Sequence, residues 1–250
     1  MRVHVLGNGV MATAMILALV KSGFEVVVVG RNFDKLSKFR DLSLQTEIYG
    51  ESYDISDKNV ILAFKPYALS EMKNILKGNA RNCVSVLAGT KFEALNFIKA
   101  KNFALCMPNI AAKFGSSITP YVFRGDDDSE ICEILGALGS FIRLENYDEF
   151  DTAGVISGCA PAFLAVVAEA LSNGGVKEGL KANVARKLVS GLFDSVSSLL
   201  AEKHPAIIKD EICSPAGTTI EGVNTLEDRA IRSAFISAIS ASVKKTKNIH

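Results

Sequence analysis

The ten residues from Val3 to Ala12, VHVLGNGVMA, carry the pattern from which the fold of the first half of the chain is predicted. They begin as a short apolar run, turn at Gly7 and Gly9, and lead into Met11–Val20, whose apolar composition without Gly or Pro predicts a helix. A strand, a glycine turn and a helix in this order are typical of a dinucleotide-binding unit. Gly7 would permit the tight turn, and Gly9 would let the backbone approach a pyrophosphate at the helix N-terminus. An ordinary βα turn is the alternative interpretation.

The end of the second predicted strand indicates which dinucleotide would bind. Phe24–Val29 is a nearly continuous β-branched run, as in a parallel strand that is buried on both faces. It ends about 20 residues past the glycine turn, where an NAD enzyme places an acid on the ribose 2′-hydroxyl. Arg31 and Asn32 stand there instead. We therefore predict NADP(H), with Arg31 attracting the 2′-phosphate. NAD(H) is an alternative cofactor, and a surface arginine without a role is an alternative for Arg31.

Strands and helices continue to alternate as far as residue 147, which predicts a parallel, doubly wound sheet. Each strand ends in Gly, Pro, Asn or Lys, at the edge where open α/β sheets bind ligands. The further predicted strands are Val60–Phe64, Cys83–Ala88, Phe103–Met107, Tyr121–Phe123 and Phe141–Leu144, and the predicted helices are Tyr67–Leu76, Lys91–Ala100 and Ser129–Leu138.

From about Asp148 the sequence changes to long patterns rich in Ala, Leu and Ser. They predict helices over Phe150–Leu171, Lys181–Lys203 and Leu226–Lys247. We therefore predict an α/β protein with two domains: an NADP-binding Rossmann domain of residues 1–147 with a doubly wound parallel sheet, and an all-helical domain of residues 148–250. The apolar surface of so small a helical domain predicts that it pairs with a second copy.

A segment of residues 204–222 interrupts these helices. Its centre, Ser214–Thr219, is a bend followed by hydroxyl residues that can start a helical turn. Successive backbone N–H groups there would form an anion pocket. By residue type alone, a capped loop between helices is the favoured interpretation.

Composition gives no sign of a nucleic-acid or membrane partner. The 250 residues include 28 basic and 27 acidic side chains, for a net charge of +1. No signal peptide is expected at the N-terminus, apolar runs such as Val26–Val29 are too short to span a bilayer, and the longer helical patterns carry charges. The five scattered cysteines indicate a reducing cytoplasm, and with three separated histidines they indicate no metal site.

The chain resembles the pyrroline-5-carboxylate reductase family nearly from end to end. It departs from the family pattern at Leu105, where Arg is usual, at Cys159 and Ala160, which replace Ser-Gly, and at Asn173, where Asp is common. The matching motifs are Gly7-x-Gly9-x-Met11-Ala12, Lys65-Pro66, Ala88-Gly89, Met107-Pro108-Asn109, Ser157-Gly158-x-x-Pro161-Ala162, His204-Pro205 and Ser214-Pro215-x-Gly217-Thr218-Thr219-x-x-Gly222.

The resemblance implies roles for the residues at the matching positions. Thr219 would be the catalytic residue, meeting the ring nitrogen of the substrate. The implied substrate-binding residues are Glu202, Ser214, Gly217, Thr218 and Thr219, and the implied cofactor-binding residues are Gly7, Gly9, Val10, Met11, Arg31, Asn32, Ala63, Lys65, Pro66, Met107 and Asn109.

The resemblance also implies an activity, the last step of proline synthesis. Hydride would pass from NAD(P)H to the C=N bond of 1-pyrroline-5-carboxylate to give L-proline, in a cytoplasmic homodimer, with a higher oligomer as the alternative. One alternative function on the same fold is reduction of another cyclic imine. Another is a β-hydroxyacid dehydrogenase, which would use a lysine such as Lys177 or Lys181 as its acid. A non-catalytic dinucleotide-binding regulatory subunit is an alternative of a different class, although it would have no need of the Ser214–Thr219 loop.

Overall fold

The computed structural model describes residues 1–248. The described chain divides into two compact units: Met1–Cys159 together with residues 243–248, and Ala160–Ser242. The domain boundary between residues 147 and 148 stays a prediction. In the structure the helix Tyr147–Gly158 belongs to the first unit. Residues 249 and 250 of the predicted helical domain lie outside the described residues.

The strands of the first unit are β1 Arg2–Leu6, β2 Glu25–Gly30, β3 Gln45–Ile48, β4 Tyr53–Asp54, β5 Asn59–Leu62, β6 Leu76–Lys77, β7 Asn79–Ser85, β8 Lys99–Cys106, β9 Ser117–Arg124 and β10 Gly139–Arg143. Eight of them form a sheet in the order β10-β9-β8-β7-β5-β1-β2-β3, and β4 and β6 pair separately. Neighbouring strands of the sheet are parallel, except that β8 and β9 are antiparallel.

The sheet is parallel, as predicted, at every neighbouring pair except β8 and β9. Residues 107–116, which join β8 to β9, hold only the short 3-10 helix Ile110–Phe114. A parallel pairing needs a crossover of a dozen or more residues, usually a full helix, whereas a short connection returns the chain antiparallel. The remaining pairs make the sheet predominantly parallel, as the alternation of strands and helices predicts.

Helices cover both faces of this sheet. Val3 and Val5 pack in the cluster that includes the helices Val10–Lys21 and Ser129–Leu138, whereas Leu6 and Val29 pack in the cluster that includes the helix Leu69–Ile75. Both faces of the central strands are thus buried, which leaves the carboxyl edge for ligands. The helices of this unit are α1 Val10–Lys21, α2 Ser37–Arg40, α3 Leu69–Ile75, α4 Ser129–Leu138 and α5 Tyr147–Gly158.

The structure confirms α4 at both predicted ends and corrects the helix predicted over Lys91–Ala100. Only Phe92–Leu95 is helical there, as a 3-10 turn, and β8 already begins at Lys99. Phe92 and Leu95 are buried, and Lys99 pairs with Asn79 of β7. Pairing within the sheet thus overrides the local helical pattern.

The second unit consists of helices. Its longest helix, Ala182–Glu202, confirms the helix predicted over Lys181–Lys203. Pro205 occupies the first turn of the next helix, Pro205–Ile212, where its missing N–H costs nothing. Part of the segment predicted as an interruption is therefore helical. The elements are α6 Ala160–Lys177, α7 Ala182–Glu202, α8 Pro205–Ile212, α9 Thr218–Asp228 and α10 Ile231–Lys247, whose last residues belong to the first unit.

Two of the predicted long helices are each divided in the structure. The pattern over Phe150–Leu171 breaks at Cys159, two residues before Pro161, whose ring cannot continue the ladder of helical hydrogen bonds. The pattern over Leu226–Lys247 breaks at Ala230, which has a left-handed φ of 53°. Apolar spacing carries across both breaks, so periodicity alone joins the separate helices into one.

Candidate active site

Gly7 closes the turn that follows β1. Its φ is +140°, and its N–H donates to the carbonyl oxygen of Val29 at 3.0 Å. A Cβ at this position would lie 2.4 Å from the carbonyl oxygen of Ala63, at the end of the neighbouring strand. Only glycine fits, because both the backbone conformation and the space exclude a side chain.

Gly9 differs from Gly7 because its missing side chain faces open space. It caps α1 in an extended conformation, and a Cβ there would meet nothing within 4 Å. No side chain caps this helix, and Val10 in its first turn is 78% exposed. The first N–H groups of a helix have no partner within the helix, so this N-terminus is open to an anion. The turn therefore fits the pyrophosphate of a dinucleotide.

Lys38 adds a positive charge beside the turn. Its Nζ donates to the carbonyl oxygen of Asn8 at 3.1 Å and to Oγ1 of Thr13 at 3.0 Å. The predicted site does not include Lys38, because it lies 30 residues after Asn8 and no local pattern marks its approach. A cation in this position favours a polyphosphate ligand.

The side chains of Arg31 and Asn32 make different contacts in the structure. Arg31 is 69% exposed and pairs with Glu71 at 3.2 Å. Asn32 Oδ1 accepts from the backbone N–H of Asp34 at 2.8 Å and thereby closes the turn after β2. Arg31 is therefore free to reach a ligand by moving from Glu71, whereas the Asn32 side chain is already engaged. Glu71 was not among the predicted site residues.

Ala63, Lys65 and Pro66 follow β5, on the other side of β1. The N–H of Ala63 donates to the carbonyl oxygen of Leu6 at 2.9 Å, which holds this segment against the start of the glycine turn. Lys65 is extended and exposed, and Pro66 begins the 3-10 helix Pro66–Ala68. The structure thus brings these residues to the same edge of the sheet as Gly7.

Asn109 is an anchor between the end of β8 and α5. It is only 9% exposed; its Nδ2 donates to the carbonyl oxygen of Ser157 at 3.0 Å, and its Oδ1 accepts from the N–H of Ala111 at 2.9 Å. Ser157 Oγ in turn donates to the carbonyl oxygen of Met107 at 2.8 Å. The amide of Asn109 therefore has protein partners on both of its polar atoms, and it positions the Met107–Asn109 segment.

Glycines of α5 let the Met107 side chain lie directly on that helix. A Cβ on Gly154 would lie 3.3 Å from Cγ of Met107, and one on Gly158 would lie 3.5 Å from the same atom. A methyl group at Gly154 would require Met107 to shift by a few tenths of an ångström, whereas one at Gly158 would make an ordinary van der Waals contact with it. Two motifs that are 50 residues apart in the sequence thus meet in the first unit.

The Ser214–Thr219 loop of the second unit is a tight turn that leads into α9. The N–H of Gly217 donates to the carbonyl oxygen of Ser214 at 3.0 Å, and Ala216 is left-handed with a φ of 55°. Pro215 and Ala216 occupy the two central positions, an arrangement typical of a type II turn. Gly217 caps α9 without a side-chain cap, so the first N–H groups of this helix are also open to an anion.

The other predicted substrate residues lie near this turn in the sequence. Thr218 is exposed and Thr219 half-buried in the first turn of α9. Glu202 is the exposed last residue of α7, and the next residue, Lys203, forms an ion pair of 2.7 Å with Glu211 of α8. The role of Glu202 toward the substrate stays a prediction.

Within residues 1–248, no group of three or more His, Cys, Asp or Glu side chains is arranged to hold a metal ion. Each unit has one helix N-terminus that is preceded by a glycine and has no side-chain cap, at α1 in the first unit and at α9 in the second.

Comparison with known proteins identifies the family. Residues 147–249 match the family model described as pyrroline-5-carboxylate reductase dimerisation, and residues 2–89 match NADP oxidoreductase coenzyme F420-dependent. The chain is 36% identical to pyrroline-5-carboxylate reductase of Helicobacter pylori over 252 residues, covering 97% of each chain. The chain belongs to the pyrroline-5-carboxylate reductase family.

Solved structures agree with this membership in the family. A 1-pyrroline-5-carboxylate reductase from Streptococcus pyogenes is 25% identical, with a TM-score of 0.86 over 100% of this chain and 99% of that one. The Plasmodium falciparum pyrroline carboxylate reductase, solved with NADP bound, has the same fold at 21% identity, with a TM-score of 0.81 over 99% of this chain and 98% of that one.

Membership in the pyrroline-5-carboxylate reductase family confirms the predicted fold class and enzyme class. The chain is an NAD(P)H-dependent oxidoreductase with a Rossmann-type unit and a helical unit. The roles of individual residues stay predictions, which the geometry above supports best for Gly9, Arg31 and the start of α9.

Proposed function

We propose that this protein reduces 1-pyrroline-5-carboxylate to L-proline. The observation that carries the proposal is the turn at Ser214–Gly217, which leaves the first N–H groups of α9 open beside a threonine hydroxyl. A small substrate with one carboxylate and one ring nitrogen needs these two kinds of group. The family to which the chain belongs supports the same substrate.

The first unit would hold the cofactor, and NADPH when bound supplies the hydride. Gly9, Val10 and Met11 would present the open start of α1 to the pyrophosphate. Arg31 would meet the ribose phosphate. The predicted nicotinamide side is formed by the segments at Ala63–Pro66 and Met107–Asn109, which their hydrogen bonds to β1 and α5 hold in place.

The second unit would hold the substrate. Backbone N–H groups from Gly217 to Thr219 would bind the carboxylate, and Ser214 and Thr218 would surround it. The ring nitrogen changes from imine to amine during the reaction, so its partner must both donate and accept. The Thr219 hydroxyl can do both. If the substrate binds as a protonated imine, no general acid is required, and the chain acts mainly by positioning the imine carbon.

A homodimer is part of the proposal. On α7 an apolar stripe of Val184, Leu188, Leu192, Val196 and Leu199 recurs at helical spacing, and each of these side chains is 38–59% exposed in the single chain. The match to a dimerisation model over residues 147–249 supports a second copy as its cover. Apolar patches of this kind mark association surfaces.

Family membership also bears on two further parts of the proposal, the cytoplasmic location and the absence of a membrane partner. All five cysteines are free thiols, as in a reducing compartment. The helical stretch Tyr147–Lys177 reaches a mean hydropathy of 1.8 and by length and composition alone could cross a membrane; 17% of that window is buried in the single chain. In a dimerisation region, the same apolar surface would serve contact between copies.

An enzyme assay tests the proposed function. The purified chain, supplied with NADPH and 1-pyrroline-5-carboxylate, should oxidise the cofactor and form L-proline in equal amounts, and it should restore growth without proline to a reductase-deficient strain. Lys177→Ala and Lys181→Ala should retain this activity. The proposal is wrong if either lysine variant is inactive or if the chain oxidises NADPH only with another cyclic imine. It is also wrong if the chain reduces NADP+ with a β-hydroxyacid but does not oxidise NADPH with 1-pyrroline-5-carboxylate.

A further inference from the structure

The ion pair between Arg31 and Glu71 lies where the adenosine end of a dinucleotide is expected. Arg31 Nη1 is 3.2 Å from Oε2 of Glu71 and 3.4 Å from Oε1. Arg31 follows β2, and Glu71 lies in the first turn of α3, after β5. Because β2 and β5 are the two neighbours of β1, the pair joins segments on both sides of the strand that leads into the glycine turn.

Tyr49 gives a second indication of where the Glu71 carboxylate lies. Its N–H donates to the carbonyl oxygen of Gly30 at 3.1 Å, which ties it to the end of β2, and its ring packs against the core on the α3 side. Burial raises the pKa of the Tyr49 phenol, and the nearby charge of Glu71 raises it further, while Arg31 opposes the shift. A cation, a phenol and a carboxylate therefore gather at the end of β2.

A carboxylate at this place has opposite effects on the two nicotinamide cofactors. It can accept a hydrogen bond from the ribose 2′-hydroxyl of NAD(H), as the acid at the end of β2 does in NAD enzymes. It repels the 2′-phosphate of NADP(H), and it also occupies the guanidinium that would bind that phosphate. The end of β2 has no acid of its own before Asp34, so here the carboxylate comes from α3.

We propose that Glu71 determines cofactor choice by competing with the 2′-phosphate for Arg31 and by offering an acceptor to the 2′-hydroxyl of NADH. The inference rests on the proposed function only in that the chain binds nicotinamide dinucleotides. Glu71 lowers the preference for NADPH that Arg31 alone would give. The chain consequently uses both cofactors.

Binding measurements without the imine test this inference. Dissociation constants for NADPH and NADH are measured by cofactor fluorescence for the unchanged chain, Glu71→Gln, Arg31→Gln and the double variant. Glu71→Gln should lower the dissociation constant for NADPH about three- to tenfold and raise the dissociation constant for NADH. The expected change is small because the cost of breaking an exposed ion pair is modest. Arg31→Gln should raise the dissociation constant for NADPH. Adding Glu71→Gln to Arg31→Gln should change this constant less than Glu71→Gln does in the unchanged chain. Added salt should reduce the effect of Glu71→Gln.

Glu133→Gln is the matched control, since it removes the same charge from an exposed position on α4. It should leave the ratio of the two dissociation constants unchanged. The inference is overturned if Glu71→Gln changes the dissociation constants for NADPH and NADH by the same factor, or changes neither. It is also overturned if Glu133→Gln shifts their ratio as Glu71→Gln does. If Glu71→Gln shifts the ratio of the two dissociation constants but the chain cannot reduce the imine, the proposed substrate is refuted and the inference stands. If the chain binds neither cofactor, both are refuted.

Discussion

The two glycines of the nucleotide turn have different reasons to be glycine. At Gly7 a side chain would collide with the Ala63 carbonyl, and the backbone is left-handed. At Gly9 the backbone is ordinary and the space is empty. Gly7 is therefore required by the fold, and Gly9 by the ligand.

Alanine substitutions should separate the two roles. Gly7→Ala should lower the free energy of unfolding by about 2 kcal/mol or more, from strain and overpacking. Gly9→Ala should change the free energy of unfolding by less than about 0.5 kcal/mol. It should nevertheless lower the affinity for NADPH about tenfold or more, since the new methyl group blocks the pyrophosphate. Urea unfolding and cofactor titration measure the two effects. Unchanged NADPH affinity in Gly9→Ala would contradict the assignment.

Thr219 is the residue on which turnover should depend. Thr219→Ala should lower kcat about tenfold or more, because a hydrogen bond to a charged reacting group is worth about 1.5–3 kcal/mol. NADPH binding should hardly change, and Thr219→Ser should recover most of the rate.

Thr225→Ala is the control for this prediction, because Thr225 is an exposed threonine of the same helix whose hydroxyl donates to the Glu221 carbonyl. It should keep normal turnover. Normal turnover in Thr219→Ala, or a loss of cofactor affinity instead, would show that the hydroxyl does not meet the ring nitrogen.

Local sequence could predict some of these residues and not others. Gly7 and Gly9 are visible because strand, turn and helix follow one another within ten residues. Glu71 and Lys38 are not visible, because each reaches the site from an element 30 or more residues away from its partner there. Asn109 anchors its segment by donating to Ser157, which lies 48 residues later in the chain. The sequence near Asn109 therefore does not predict this role.

Among the elements, β1, β3 and β4 are joined by a buried polar chain. The Tyr53 hydroxyl donates to Glu47 at 2.7 Å and accepts from Nδ1 of His4 at 2.8 Å, so the neutral imidazole carries its proton on Nδ1. Burial lowers the pKa of His4 below its usual 6.5, and the charge of Lys58 lowers it further. Protonation of His4 is therefore less favourable in the folded chain than in the unfolded one.

Stability should consequently depend on pH through His4. The contribution of this residue is complete above pH 6.5, and it is lost as the pH falls through the histidine range, where the unfolded chain binds the proton first. Urea unfolding between pH 8 and 5.5 should show a steeper loss in the unchanged chain than in His4→Gln. Equal slopes for the two proteins would mean that His4 is not held neutral.

Element boundaries show what periodicity alone can establish. Ser129–Leu138 was predicted at both ends because its apolar spacing lies between an acidic turn and a glycine. The polar edge strand β3 was not predicted, since it has no apolar run. The antiparallel pairing of β9 depends on the conformation of the preceding connection, which composition does not reveal.

For the whole molecule, the change from strands to helices near residue 148 predicts association between copies. Leu188→Asp, in the apolar stripe of α7, should convert the dimer to monomers at micromolar concentration, because a carboxylate would be buried without a partner. Light scattering coupled to size exclusion measures the mass. Leu42→Asp is the control, as Leu42 is similarly exposed, at 55%, in the first unit. A fully active monomer of the unchanged chain would refute the dimer.

Transfer of hydride from the cofactor to the cyclic imine can be followed with an isotope label. The purified protein is supplied with NADPH deuterated at C4 on the transferred face, together with 1-pyrroline-5-carboxylate, and the L-proline formed is analysed by mass spectrometry and NMR. If the proposed function is right, each proline carries one deuterium on the former imine carbon, and one equivalent of cofactor is oxidised. Oxidation of the cofactor without deuterium in proline, or no turnover of the imine by a chain that binds NADPH, would contradict it.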